Sequence, residues 1–364
     1  MDIRIIAPIA EASSIGQNAR ELAIALSEIG INVNIVNISI TPLQAKVDND
    51  IIQKIQMLIN NKISQDYVAI HFLPYDKMVV NDEGAKINFA YTGIETPEAP
   101  RLAKLLLNNR FKEIIVPTYS NKFDDSVKVI NWGVNTTDWN LNVEPLEDFP
   151  KNDGQFYFCY VGGAKPSSGY DLVLKAFFDE FKNEPKANLI LKPMLYNKPE
   201  EREKIVQDVI TRLKGESKAN VFALTDDLLE SSLRRVMKSA DCFVAPYRLK
   251  VWGTSAIHSM ALGVPVIINA NTFNKAFTNS ENSLLVSSTK KPIDNVEWIL
   301  NNLVEQECSW YEPNYEDLKS KMRYAFENKD KLKELGLKAR QDIEKLDWKN
   351  VAMNLLTLVK KHAI

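Results

Sequence analysis

Short apolar runs rich in β-branched residues alternate along this chain with longer stretches whose apolar positions recur at helical spacing, the signature of strands and helices taken in turn. In the first half the runs Ile3–Ile9, Val33–Ile38, Tyr67–Phe72, Ile87–Tyr91, Glu113–Pro117 and Val127–Ile130 predict strands. Between them the periodicity predicts helices over Asn18–Ile29, Ile51–Ile63 and Pro100–Arg110, with Gly30 as a terminator of the first. The second half repeats the pattern. Strands are expected at Phe156–Val161, Asn188–Lys192, Asn220–Ala223, in the run ending at Pro246, and at Val266–Asn269. Helices are expected at Tyr170–Phe181, Glu200–Lys214, Leu228–Lys238, from about Thr254, at Ile293–Glu305, through Tyr315–Leu346, and at 347–361. Strict alternation of this kind builds doubly wound α/β sheets. The segment Asn140–Gly154 is rich in Asn, Asp, Glu and Pro and lacks periodicity, which places a boundary near residue 150. The expected domains are therefore 1–150 and 151–346.

Composition narrows the class. With 364 residues, 45% hydrophobic and 25% charged, the chain can bury one core or two. A net charge of −2 argues against a nucleic-acid partner. Cys159, Cys242 and Cys308 form no spaced pair, and Cys159 and Cys242 sit in apolar runs, which suits a reducing cytoplasm. With only His71, His258 and His362 besides, no metal site is expected. The charged start Met-Asp-Ile-Arg is not that of a secretory signal, and no apolar run approaches the ~20 residues that cross a bilayer, so any membrane contact is expected to be peripheral.

Candidate chemistry concentrates in residues 240–287. An apolar run ends at Pro246, a loop Arg248-Leu-Lys250-Val-Trp-Gly253 follows, and a small-residue helix begins at Thr254-Ser255-Ala256 and stops at Gly263-Val-Pro265. Such a loop lies beyond the carboxyl ends of parallel strands, where a helix start can hold a phosphate. In the first half the loop before the first helix carries only Gly16 where a dinucleotide fingerprint needs three glycines. It reads equally as a place where a ligand approaches and as a simple tight turn. His71 ends a strand and so points toward the sheet's crevice; a structural histidine is the alternative.

The ordered motifs Ser14-Ile-Gly16-Gln-Asn-Ala-Arg20-Glu-Leu, Asn131-Trp-Gly133-Val-Asn135, Tyr160-Val-Gly162, Gly169-Tyr-Asp171-Leu-Val, Ser239-Ala-Asp241-Cys-Phe-Val-Ala-Pro246 and Met260-Ala-Leu-Gly263-Val-Pro265 together resemble a glycosyltransferase of family 4, and they cover essentially the whole chain. The resemblance implies GT-B architecture: two Rossmann-like doubly wound domains facing a central cleft, the second holding a nucleotide-sugar donor and the first an acceptor. The last helix, 347–361, would pack back on the first domain. No cofactor or metal is implied. It also implies roles by position: His71 matches the family's active-site histidine, and Leu224-Thr225 lies where backbone meets the base.

The departures are specific. The family's two loop glutamates are replaced by Lys250 and His258, and its diphosphate-gripping arginine and lysine by Gly163 and Ser168. Lys165, Lys192, Arg248 and Lys250 are the cations that could take over, alongside the helix start Gly253–Ala256. Lys250 could instead face an acidic sugar or point into solvent; His258 would offer the ribose one neutral bond in place of a carboxylate. The expected function is a retaining transferase moving a sugar from a nucleotide-diphosphate donor to a hydroxyl on a glycan, lipid-linked or protein acceptor. The alternative is a degenerate GT-B protein acting as the non-catalytic partner of an active glycosyltransferase.

Overall fold

Twelve strands in two parallel sheets carry the structure, a computed structural model that describes residues 1–41, 44–78, 82–97, 110–149, 154–195, 197–271, 273–294 and 308–363. The chain divides into unit 1 (Met1–Thr136, Pro292–Trp310 and Lys345–Ile364) and unit 2 (Thr137–Lys291 and Tyr311–Glu344). The changeover at Thr136–Thr137 precedes the polar segment that composition marks. Unit 1 runs β1 (Asp2–Ala7), α1 (Ser14–Glu28), β2 (Asn32–Asn37), α2 (Asn49–Asn60), β3 (Tyr67–Phe72), β4 (Ile87–Tyr91), β5 (Glu113–Val116) and β6 (Lys128–Val129). Unit 2 follows with β7 (Phe156–Gly163), α3 (Tyr170–Glu180), β8 (Ala187–Met194), α4 (Pro199–Lys214), β9 (Asn220–Ala223) and α5 (Glu230–Lys238). It continues through β10 (Cys242–Ala245), α6 (Thr254–Ala261), β11 (Val266–Asn269), β12 (Leu284–Val286), α7 (Tyr315–Glu327) and α8 (Lys329–Ile343). The last helix, α9 (Trp348–Ala363), belongs to unit 1.

The sheet of unit 1 has the order β2-β1-β3-β4-β5-β6, all parallel, with Ile6 of β1 opposite His71 of β3. β3 is buried along its whole length, which is why its sequence is a continuous apolar run rather than an alternation. Helix α1 begins four residues earlier than its periodicity suggests. Ser13 caps it, its hydroxyl accepting the Gly16 amide at 3.1 Å, and this polar start carries no apolar signal. Helix α9 packs on α1: the Trp348 indole donates to Glu21 Oε2, and the Trp348 ring lies where a Cβ on Gly133 would come within 2.6 Å of it. The predicted helix at 100–110 lies outside the described residues except at Arg110, and the one at 293–305 outside them except at its start.

Unit 2 has the order β12-β11-β10-β7-β8-β9, again all parallel. Numbered from β7, this is the dinucleotide-fold order 3-2-1-4-5-6 read backwards, and its switch point falls between β7 and β10. One face is sealed by Phe156, Phe158 and Tyr160 of β7 packing on Phe177 and Phe181, each ring contributing about 2–3 kcal/mol of burial. β12, three residues in a polar stretch, gave no sequence signal. Among the described residues no helix is long and apolar enough to cross a membrane.

Candidate functional site

The switch point of unit 2 brings together the loop after β7 and the loop after β10. The amides of Arg248 and Leu249 both donate to Ser167 O at 3.0 Å, so the two loops are stitched edge to edge. Gly169 closes the first loop at φ 72°, within 2.3 Å (for a hypothetical Cβ) of Pro246 O, and no other residue type fits there. Loops at the carboxyl ends of parallel strands at such a point form the usual ligand crevice of the fold.

Four predicted residues line the β7 side. A Cβ on Gly163 would sit 3.2 Å from Ser168 Oγ and 3.3 Å from Lys165 Cγ, so glycine leaves open the place where these two side chains converge. The Ser168 hydroxyl is buried without a hydrogen-bond partner among the described residues. Lys192, opposite Val161 in the β7–β8 register, is 8% exposed, and among the described residues its ammonium reaches only Pro193 O, at 3.4 Å. Burial holds its pKa below the usual lysine range, with Asp227 and Asp226 pulling the other way from beyond ion-pair distance and Arg202 pushing with burial. Asp227 itself is taken by Arg202 at 2.8 Å. A buried ammonium with one weak carbonyl contact and a buried hydroxyl with none are groups that an incoming anion would satisfy.

Arg248 does something else. Its guanidinium bonds both oxygens of Asp171 at 2.7 and 2.9 Å, both oxygens of Glu312 at 2.7 and 2.8 Å, and Pro166 O at 2.7 Å. It fastens the two loops, and the planar fork expected at the donor is occupied here by carboxylates. Neither Asp171 nor Glu312 was marked as its partner by sequence, since both lie far from it along the chain.

On the β10 side, Gly253 caps α6 at φ 73°, and a Cβ there would meet the Phe273 ring at 2.6 Å. Thr254 is buried and Ser255 half-buried. Ala256, expected to offer its amide to a ligand, donates it to Gly253 O at 2.9 Å. Lys250 is half-buried, its ammonium 5.7 Å from the centre of the Tyr247 ring. His258 is turned inward: its ring stacks on Trp139 at 3.7 Å and 11°, it is 2% exposed, and its Nε2 has no partner among the described residues. Burial, with Arg234 adding repulsion, pushes its pKa down to about 3, so the ring is neutral. Where the sequence reading expected a ribose-facing residue, His258 packs in the core against Trp139. The Leu224 amide is used within the sheet, donating to Leu191 O at 2.8 Å, and Thr225 is half-buried.

Two predicted residues lie on unit 1. Gly16 starts α1 so tightly that a Cβ would be 2.6 Å from Glu11 O and 2.7 Å from Pro8 O; the loop's own backbone explains the glycine, which favours the tight-turn reading. His71 is fully buried, with Nε2 2.8 Å from Asn88 Oδ1. Asn88 donates its amide nitrogen to Asp82 O and accepts the Asp82 amide on Oδ1, so Oδ1 faces the ring and Nε2 is the donor. Nδ1 is then a lone-pair nitrogen, without a partner among the described residues, and burial lowers the ring's pKa. Among the described residues no group of three or more His, Cys, Asp or Glu side chains is placed to hold a metal ion.

Comparison with known proteins bears on this geometry. Residues 145–323 match the family described as Glycosyl transferases group 1. Mannosylfructose-phosphate synthase of Agrobacterium fabrum is 28% identical over 108 residues, 30% of this chain and 24% of that protein. Among solved structures, Anabaena Alr3699/HepE in complex with UDP-glucose superposes with a TM-score of 0.68 at 11% identity, covering 99% of this chain and 100% of the other. Sucrose-phosphate synthase from Thermosynechococcus elongatus gives 0.67 at 15%, covering 99% and 98%. A glycosyltransferase from Rickettsia africae gives 0.66 at 14%, covering 100% and 98%. Residues 145–323 thus resemble the Glycosyl transferases group 1 family, and the chain has the two-sheet fold of GT-B glycosyltransferases.

Proposed function

We propose that the protein is a retaining, family-4-type glycosyltransferase that takes a sugar from a nucleotide-diphosphate donor held by unit 2 and passes it to a hydroxyl acceptor. The observation that carries this reading is the under-satisfied pair Lys192 and Ser168 at the switch point of the segment that matches Glycosyl transferases group 1. A diphosphate there would gain a charge-assisted bond to Lys192 and one to the Ser168 hydroxyl, with Lys165 beside them. That places cationic support on β8, in a residue other than the two the resemblance leads one to expect. As the bond to the sugar breaks, charge grows on the leaving diphosphate, and a desolvated ammonium stabilises it more than a solvated one would. In a retaining reaction the donor phosphate can itself take the acceptor's proton, so the chemistry survives the loss of the loop glutamate. Lys250, on the neighbouring loop, is the candidate for the sugar or the diphosphate. On unit 1, Nδ1 of His71 has a lone pair suited to accept from a hydroxyl. The reading needs neither metal nor cofactor, and it leaves the acceptor a glycan, a lipid-linked sugar or a protein.

A second reading has its own support. His258 is sealed against Trp139 and Arg248 is spent on carboxylates, so two polar groups expected at the nucleotide are withdrawn. A non-catalytic partner subunit of another glycosyltransferase would show this. The test is a thermal-shift screen with nucleoside diphosphates and nucleotide sugars, UDP-sugars first because related structures hold UDP and UDP-glucose, followed by a transfer assay. A transferase gives a shift and turnover; a protein that no nucleotide stabilises is not one.

A further inference from the structure

The loops that follow β1 and β2 meet at the carboxyl edge of the unit 1 sheet, the edge at which doubly wound folds take their ligands. They are sewn together: the Ala10 amide donates to Asn37 Oδ1 at 3.1 Å, the Ala45 amide donates to Ala10 O at 2.9 Å, and Glu11 pairs with Gln44 as an isolated bridge. Arg20 of α1 donates to Ile9 O and Glu11 O at 2.8 and 3.1 Å. Gly16 lies so near Glu11 O that the first turn of α1, and Gln17 with it, is pressed against the same loop. The turn accounts for the backbone here. It does not account for three of the side chains.

Glu11 is fully buried, and its two oxygens are unequal. Oε1 accepts from the Ile40 amide and from the Thr41 amide, the second at 2.5 Å, and so closes the loop after β2. Oε2 has no hydrogen-bond partner among the described residues. Nor have Thr41 Oγ1 and Gln17 Nε2, both buried atoms. The Thr41 hydroxyl belongs to the residue whose own amide is bonded to Glu11, so it stands beside that carboxylate. Orphaned polar atoms are costly to bury, and three of them in one corner of a sheet edge call for a guest. They lie just beneath the surface, since Thr41 and Gln17 are half-buried and Ser14 and Ser39 exposed.

Their chemistry selects the guest. Glu11 Oε2 accepts, Gln17 Nε2 donates, and the Thr41 hydroxyl does either. A phosphate would bring negative charge against Glu11, and an ammonium could not accept from Gln17. Hydroxyl groups donate to the one and accept from the other. We propose that Glu11, Gln17 and Thr41 form a subsite for the hydroxyls of a carbohydrate. That the bound sugar is the acceptor rests on the transferase reading, and would make that acceptor a saccharide; that a sugar binds here does not rest on it.

The test is a titration of D-glucose, D-fructose and myo-inositol, with no nucleotide present, into the full chain carrying Lys192→Gln. The amide resonances of Ala12, Gly16 and Ile40 are followed beside those of Gly163 and Thr254. At least one of the three polyols should shift the unit 1 amides saturably, and cyclohexanol, a ring with a single hydroxyl, should not. Glu11→Gln keeps an oxygen for the Ile40 and Thr41 amides but loses the charge-assisted bond, so it should weaken binding roughly tenfold or more. Thr41→Val keeps the shape of a half-buried side chain and should weaken it about three- to tenfold. Polyols that leave the unit 1 amides unmoved would assign these atoms to a trapped water and overturn the proposal, as would losses below about twofold in both variants. Polyol binding here in a protein whose wild type binds no UDP would sink the transferase reading and leave the subsite standing.

Discussion

The inward turn of His258 makes a prediction about acid stability that can be worked through. In the unfolded chain its imidazole titrates near 6.5; in the native protein burial against Trp139 holds it neutral down to about pH 3. Between these values the unfolded state binds the proton and the native state does not, so stability falls as pH falls from about 6.5 toward 3 and is fully present above that window. From pH 7 to pH 5 the loss is about 2 kcal/mol, close to RT ln 10 for each unit below the unfolded value. His258→Phe keeps an aromatic ring on Trp139 and removes the titrating group, and at Nε2, which has no partner among the described residues, it breaks no hydrogen bond. Urea unfolding of both proteins at pH 7, 6 and 5 isolates the effect, since His71, whose pKa burial also lowers, is common to both and cancels. The wild type should lose about 2 kcal/mol more than the variant by pH 5. With three histidines in the chain, ring-proton NMR can follow each, and His258 should not titrate above pH 5. Parallel stability curves, or a His258 ring that titrates near 6.5, would refute the sealed-histidine account.

Other outcomes follow from the same geometry. Arg248→Met leaves Asp171 and Glu312 facing each other without their cation and should destabilise by about 2–3 kcal/mol in urea; a variant as stable as wild type would show that the loop fastener is incidental. Gly253→Ala forces a Cβ onto a φ of 73° and into Phe273, so a loss of about 2–4 kcal/mol is expected, and a loss below about 0.5 would mean that the helix start is not held as described. If Lys250 supports the diphosphate, Lys250→Ala weakens nucleoside diphosphate far more than nucleoside in calorimetry, whereas equal losses remove it from that role.

Much of the fold was legible because a parallel sheet buried on both faces writes its strands as continuous apolar runs: Tyr67–Phe72 and Val266–Asn269 are found where their β-branched residues put them. Boundaries set by polar atoms were harder to read, as with the Ser13 cap of α1. At the site, Gly253 and Gly263-Val-Pro265 fix Lys250 on the loop and His258 on α6, but a register gives no side-chain direction. The stack of His258 on Trp139, and the grip of Asp171 and Glu312 on Arg248, depend on contacts between distant parts of the chain that leave no local pattern. Lys192 was one of several cations in sequence; burial, readable only from the structure, is what distinguishes it.

Whether unit 2 holds a diphosphate on Lys192 is decided by calorimetric titration of wild type and Lys192→Gln with UDP and with uridine. The account predicts that the substitution weakens UDP by roughly 10- to 150-fold, the worth of one charge-assisted bond, while uridine changes by less than about twofold. UDP binding that is absent in wild type, or equal in both proteins, would contradict it.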